Sequence, residues 1–226
     1  MRLPSVKISL LLVVLVLGIL SLTASQFTRA MVEKPRYEVL QKAKAYTIRR
    51  YPPCIAARVD IDGHEEEAMN QGFRPLADYI FGNNRAQSKV AMTSPVTQEA
   101  KTSQKIAMTT PVTQESHGGI QVVSFLMPSD YSLADLPRPN NDAVRLETLP
   151  EKTVAVLRFS WVGEDKQMRA KEAELREALA RDGIEVVGTP IYARYDPPWT
   201  LPLFRRNEVM LPVKYEKDLA QAAGSR

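Results

Sequence analysis

The chain has 226 residues, 44% hydrophobic and 25% charged, with a formal net charge of +4. The first 30 residues hold Arg2, Lys7 and Arg29 and no acid, so three of the four net charges lie there; the rest is nearly neutral and no nucleic-acid surface is indicated. A single cysteine, Cys54, excludes an intrachain disulfide, and an oxidising compartment is permitted without being required.

Behind the positive start, Ile8 to Leu22 form an apolar run broken only by Ser9, Gly18 and Ser21. Such a run is either the core of a secretory signal peptide or a short membrane anchor. Neither Ala24 nor Ala30 ends a clean small-x-small cleavage site, so residues 1–30 are read as signal peptide or anchor, with both outcomes open. In both, the positive charges keep the N-terminus cytoplasmic and the globular part lies outside, which implies a periplasmic or other extracytoplasmic place in the cell envelope. About 195 residues remain, enough for one domain over 31–226 with a single substantial core.

That domain repeats its grammar at an offset of 100 residues, around Gly63 and Gly163. In the first half, about 37–127, RRYPPCIAARVDIDG reads as strand, proline break, strand and glycine, and a helix follows from His64 to Phe81. Ala68, Gly72 or Phe73, Leu76 and Ile80 give that helix one apolar stripe. In the second half, about 142–213, LETLPEKTVAVLRFSWVG has the same order. Its helix runs from Glu164 to Asp182, with Met168, Leu175, Ala178 and Leu179 on one side and Gly183 as the stop. Strands are expected after the helices at Lys89–Thr93 and Ile191–Tyr195, and then at Ile120–Met127 and Glu208–Val213. The Pro-, Asp- and Asn-rich stretch from Pro128 to Asn141 is a connection between halves. Two ββαβ units, with two sheet halves packed under two helices, make an α+β domain.

One segment stands out from this plan. KVAMTSPVTQE, beginning at Lys89, is followed sixteen residues later by KIAMTTPVTQE, beginning at Lys105. Each line alternates as a strand does, and each strand is expected to stop at or near its proline, Pro95 or Pro111, which suggests a duplicated hairpin arm. Together with YTIRRYPP (Tyr46 to Pro53), YDPPW (Tyr195 to Trp199) and RRNEVML (Arg205 to Leu211), in this order, the segment resembles the SOUL family of haem-binding proteins over Tyr37 to Val213. The resemblance implies pseudo-twofold duplicated ββαβ units forming a distorted antiparallel β-barrel flanked by two α-helices. It also implies non-covalent binding of haem or a related tetrapyrrole, for carriage, buffering or sensing.

The chemistry-bearing residues are few. His64, His117 and Cys54 share no metal-ligand spacing, so no metal site is expected, and His64 is at most a weak candidate for an iron ligand. No nucleophile elbow, Walker loop or dinucleotide glycine pattern is present, and a non-catalytic protein is expected. Haem needs an apolar platform and cations for two propionates. The first helix offers Met69, Phe73, Leu76 and Ala77 with Arg74, a set that would serve equally as core. The resemblance assigns the corresponding helix to the porphyrin face and adds Tyr195, Phe204, Arg205 and Arg206 as a rim. Where some family members carry a proposed histidine ligand this chain has Arg50, which stays protonated and cannot coordinate iron. Two rival readings remain, a module for other amphipathic small molecules and an enzyme acting on tetrapyrroles or lipids. A buried glutamate with a polar neighbour would favour the enzyme, and an apolar floor with an arginine rim would favour binding.

Overall fold

A computed structural model describes residues 32–63, 65–86 and 103–215. The first half contributes β1 (Glu38–Lys42), β2 (Thr47–Tyr51), β3 (Cys54–Asp62), α1 (Glu65–Ile80), β4 (Asn84–Arg85), β5 (Val112–His117) and β6 (Ile120–Leu126). After the connecting β7 (Arg138–Pro139), the second half contributes β8 (Arg145–Leu149), β9 (Lys152–Phe159), α2 (Asp165–Arg181), β10 (Glu185–Val186), β11 (Ile191–Arg194) and β12 (Asn207–Lys214).

The main strands form one antiparallel sheet in the order β1-β2-β9-β12-β11-β5-β6-β3-β8, with β10 added on β12. The sequence of pairings is palindromic about the β11–β5 boundary. β2, β3, β5 and β6 of one half correspond to β8, β9, β11 and β12 of the other, as the repeated grammar predicts. The first strand of each half crosses over: β2 pairs with β9 and β8 pairs with β3. The sheet curls into a half-barrel with β1 and β8 as its edges, so the α+β class and the pseudo-twofold plan hold.

Strand alternation divides the side chains between two faces. On the outer face α1 covers Val59, Val123 and Phe125, and α2 covers Ile48, Leu157, Val209 and Leu211. Each helix buries the stripe its spacing predicts. In α1 the close position is Gly72 and not Phe73, which is 37% exposed. A Cβ on Gly72 would come within 2.6 Å of Val123, so only glycine lets the helix approach β6 this closely. Helix α2 buries Met168, Leu175, Ala178 and Leu179, and Gly183 ends it in a left-handed conformation at φ +69°.

The duplicated segment differs from expectation. Its second line does not end at Pro111; strand β5 begins just after it and pairs on both sides, with β11 and β6. Residues before the proline are fastened individually: the Ile106 N–H donates to Ile80 O at 2.8 Å and the Thr110 N–H to Glu33 O at 3.0 Å. Proline lacks a donor and so can precede a ladder as readily as end one, and the alternation rule could not tell which. The second line is thus a central strand and not an arm. The first line and the strand expected at Lys89–Thr93 lie outside the described residues.

Candidate functional site

The concave face carries a third apolar cluster, Val154, Val156, Ile191, Ala193, Tyr195 and Met210, with Tyr51 against it. Strands here are buried on both faces, which is why Val154–Leu157 and Val209–Leu211 read as continuous apolar runs. Over part of this face lies a cavity of about 490 Å³, within the range that small-molecule sites occupy. Val154, Ile191, Met210 and Leu126 form apolar wall, and Leu149 and Met127 extend it. The two proline turns, Pro52-Pro53 and Pro150, border it from pseudo-equivalent places. Lys34, Arg36 and Lys152 supply cations to the lining. Of the acids there, Glu33 accepts the Ser129 N–H at 3.2 Å and Glu115 lies 3.2 Å from His117 Nε2.

The potential iron donors in the lining are poor ones. Burial pushes the Cys54 thiol up, with nearby Lys152 opposing the effect in part. Burial likewise raises Tyr51, against the hydrogen bond from Arg49. Both groups are therefore neutral near pH 7. Met127 and Met210 add thioethers. Among the described residues no group of three or more His, Cys, Asp or Glu could hold a metal ion, and no helix is long and apolar enough to cross a membrane.

Next to Tyr51 the concave face holds a buried charge cluster around Glu208, which is fully buried. Arg49 Nη1 donates to both carboxylate oxygens at 3.2 and 3.1 Å, Arg206 donates to Oε1 at 3.0 and 2.8 Å, and the Tyr195 hydroxyl donates to Oε2 at 2.8 Å. The two guanidinium groups lie over Tyr37 and Tyr195, 4.4 and 3.9 Å from the ring centroids. Burial is the largest influence and opposes the charge on Arg49 and Arg206, yet Glu208 and the neighbouring tyrosines together outweigh it, and both guanidinium groups hold their protons more tightly than usual. Burial and then the Glu208 charge keep the Tyr195 phenol protonated. A carboxylate has about four lone-pair sites, and here they are taken by protein donors. A buried glutamate is present, but its acceptor capacity is spent on structure.

The residues singled out in the sequence fall in separate places. Tyr195 and Arg206 meet in the Glu208 cluster. Phe204 is exposed in a 3-10 turn, and Arg205 ties its own loop through Nε to Thr200 O at 2.7 Å and through Nη2 to Pro198 O. Leu76 and Ala77 belong to the outer core, Met69 packs at its edge, Phe73 stands edge-on to Phe125 at 5.2 Å, and Arg74 is exposed. This α1 set is on the opposite face of the sheet from the cavity. Arg50 also points outward, to Glu38 at 3.3 Å and Glu151 at 3.7 Å, because it follows Arg49 by one residue and the face alternates. His64 lies outside the described residues. Nothing in the spacing singles out Val154, Ile191 or Met210 as lining; for Val154 and Met210 the uninterrupted apolar runs are the signal the sequence carries.

Comparison with known proteins agrees with this architecture. The family model for SOUL heme-binding protein matches residues 32–212. Heme-binding protein 2 of Homo sapiens is 30% identical over 192 residues, 82% of this chain and 88% of the relative. Heme-binding protein 1 of Xenopus laevis is 28% identical over 166 residues, 73% of this chain and 82% of the relative. Among solved structures, the EcmrR C-terminal domain superposes with a TM-score of 0.53 at 13% identity, covering 79% of this chain and 98% of that one, a likeness of fold alone. With the family model spanning nearly all of the described sheet and both helices, the chain belongs to the SOUL heme-binding protein family.

Proposed function

We propose that the concave cavity binds haem or a related tetrapyrrole without catalysing a reaction on it, in a domain exported or held at the membrane by residues 1–30. The observation that carries this reading is the cavity of about 490 Å³, with an apolar wall at Val154, Ile191 and Met210 and cations at Lys34, Arg36 and Lys152. These residues fit an amphipathic dianion: the wall would pack the macrocycle, and the cations would meet its carboxylates. Haem supplies an iron centre and a planar apolar ring; among the described residues the cavity lining offers iron no imidazole, only a protonated thiol and phenol and two thioethers, and this supports binding through packing and charge more than through ligation. The saturated Glu208 carboxylate supports a non-catalytic role, since it has no acceptor site to offer a substrate. Carriage, buffering and sensing are all served by such a site.

The test is a titration with ferric haem followed at the Soret band, using wild type, Lys152→Glu, Met210→Arg and Phe73→Ala/Arg74→Ala. Wild type should saturate at one equivalent. Lys152→Glu should weaken binding about tenfold or more through loss of a charge-assisted contact, and Met210→Arg should abolish it. The helix α1 pair should bind as wild type does. Loss of binding in that pair with retention in Met210→Arg would move the site to the outer face, and wild-type binding no better than nonspecific background would end the haem reading.

A further inference from the structure

Six of the fourteen large hydrophobic side chains exposed among the described residues come from two short loops, and the cavity uses none of them. Trp161 and Val162 follow β9. Trp199, Leu201, Leu203 and Phe204 lie in the connection from β11 to β12, around the 3-10 turn Pro202–Phe204. Together they leave on the order of 500 Å² of apolar surface in water, as much as the largest patch of an ordinary soluble monomer. The loops are bonded into one tip: the Trp161 N–H donates to Pro202 O at 2.9 Å, and the Asn207 side-chain amide donates to Trp161 O at 2.9 Å. Gly163 makes room for that amide, whose Oδ1 would lie 2.6 Å from a Cβ there. Trp161 is held at φ +105°, a conformation that a bulky residue seldom adopts. It is 47% exposed and Trp199 is 74% exposed, and these are the only two tryptophans of the chain. Neither indole makes a hydrogen bond or ring contact among the described residues.

We propose that this tip docks into the interfacial layer of a lipid bilayer. The side chains are of the kind that layer accommodates: two indoles, each an apolar ring with one N–H left to meet a headgroup, beside Leu and Phe. The backbone is prepared for a place short of water. Within the tip, the carbonyls of Pro197, Pro198, Thr200, Leu201 and Pro202 all accept bonds, three of them from Arg205, and Pro197, Pro198 and Pro202 have no N–H to satisfy. A loop facing water gains little from such closure, whereas in a dehydrated layer every open polar group is costly. Charge is nearly balanced. With Arg194 paired to Asp165 and Arg206 to Glu208, Arg158, Lys166 and Arg205 stand against Glu164 and Asp196, so apolar contact leads and anionic lipid is not required. The bilayer is also within reach, a point that rests on the membrane reading of residues 1–30 in the proposed function. Ten residue steps separate Leu22, where the apolar run ends, from Val32, and they span at most about 35 Å. A domain of this size is about as broad as that, so an anchored one lies against the membrane with one of its surfaces.

The full-length chain, synthesised without haem in the presence of phosphatidylcholine vesicles, tests this, because both tryptophans are in the tip and none is in residues 1–30. Flotation with the vesicles reads the N-terminal segment, and quenching of tryptophan emission by lipids brominated in the upper acyl chain reads the tip. The chain should float, its emission should be quenched relative to unbrominated vesicles, and added salt should leave the quenching in place. Leu203→Glu/Phe204→Glu should float and keep its circular dichroism while the quenching is lost. A floating chain with unquenched tryptophans, or quenching that survives in the double variant, overturns the docking proposal and leaves the membrane reading of residues 1–30 standing. A chain that does not float ends both. Emission that shifts to the blue with rising protein concentration and ignores bromine would show a second copy covering the tip, which overturns the lipid assignment.

Discussion

Replacing Glu208 by Gln keeps its volume and shape and removes one charge from the centre of the concave face. In the native arrangement the carboxylate is fully buried and balances Arg49, 8% exposed, and Arg206, 18% exposed. After the change two guanidinium groups share one neutral acceptor. Breaking a buried ion pair by removing one partner costs about 3–5 kcal/mol, because the remaining charge is left desolvated. The partial exposure of Arg206 lets water recover some of that, so the lower end, about 3 kcal/mol, is expected. Urea unfolding followed by far-ultraviolet circular dichroism at pH 7 measures it; both tryptophans are largely exposed, which makes fluorescence the weaker probe. The triple variant Arg49→Met/Arg206→Leu/Glu208→Leu replaces the whole cluster by apolar volume and should recover to within about 2 kcal/mol of wild type. A loss under about 1 kcal/mol for Glu208→Gln would refute the description of these charges as mutually dependent.

Three further outcomes are expected. Two bonds from Arg145, at 2.6 and 2.8 Å, hold Asp60 below the usual carboxylate range despite slight burial, so its contribution to stability is full above about pH 4 and disappears as pH falls through the depressed value. A carboxyl NMR titration should place Asp60 below its unfolded reference, and Arg145→Gln should move it up; no movement refutes the clamp. Gly72→Ala puts a Cβ 2.6 Å from Val123 and should destabilise by about 1–3 kcal/mol even though alanine favours helix by roughly 1; a more stable variant would show that α1 has room to shift. Arg50→His should leave the haem spectrum unchanged, because position 50 faces Glu38 and Glu151 on the outer face; a new low-spin spectrum would place the iron outside the cavity.

Much of the architecture was legible because it rests on periodicity. The stripes of α1 and α2 and the order of strands around Gly63 and Gly163 follow from spacing alone, and both helices lie within a residue of their expected bounds. The cavity was not legible, since a concave face is made by strands that meet only after folding. Ile191 and Met210 are opposite one another in the ladder, but nothing local says so. The α1 residues have the composition of a porphyrin platform and of a core face alike, and spacing does not tell that Leu76 and Ala77 are buried in the core while Phe73 lies at its margin. Arg49 and Arg50 are indistinguishable in composition, and one residue of strand parity sends the first to Glu208 and the second to the opposite surface.

The exchange of β2 and β8 between the halves has a mechanical consequence. Two lobes joined only by a linker could part like the covers of a book and admit a ligand between them. Here each lobe grips a strand belonging to the other, through the registers Thr47–Tyr51 with Lys152–Val156 and Cys54–Arg58 with Arg145–Leu149. Parting the lobes would mean tearing these two ladders as well as the β5–β11 ladder between them, so the walls of the cavity are clasped at a fixed separation. The segment Glu33–Arg36, the loop around Pro128–Leu133 and the two proline turns complete the lining of a cavity whose walls do not part.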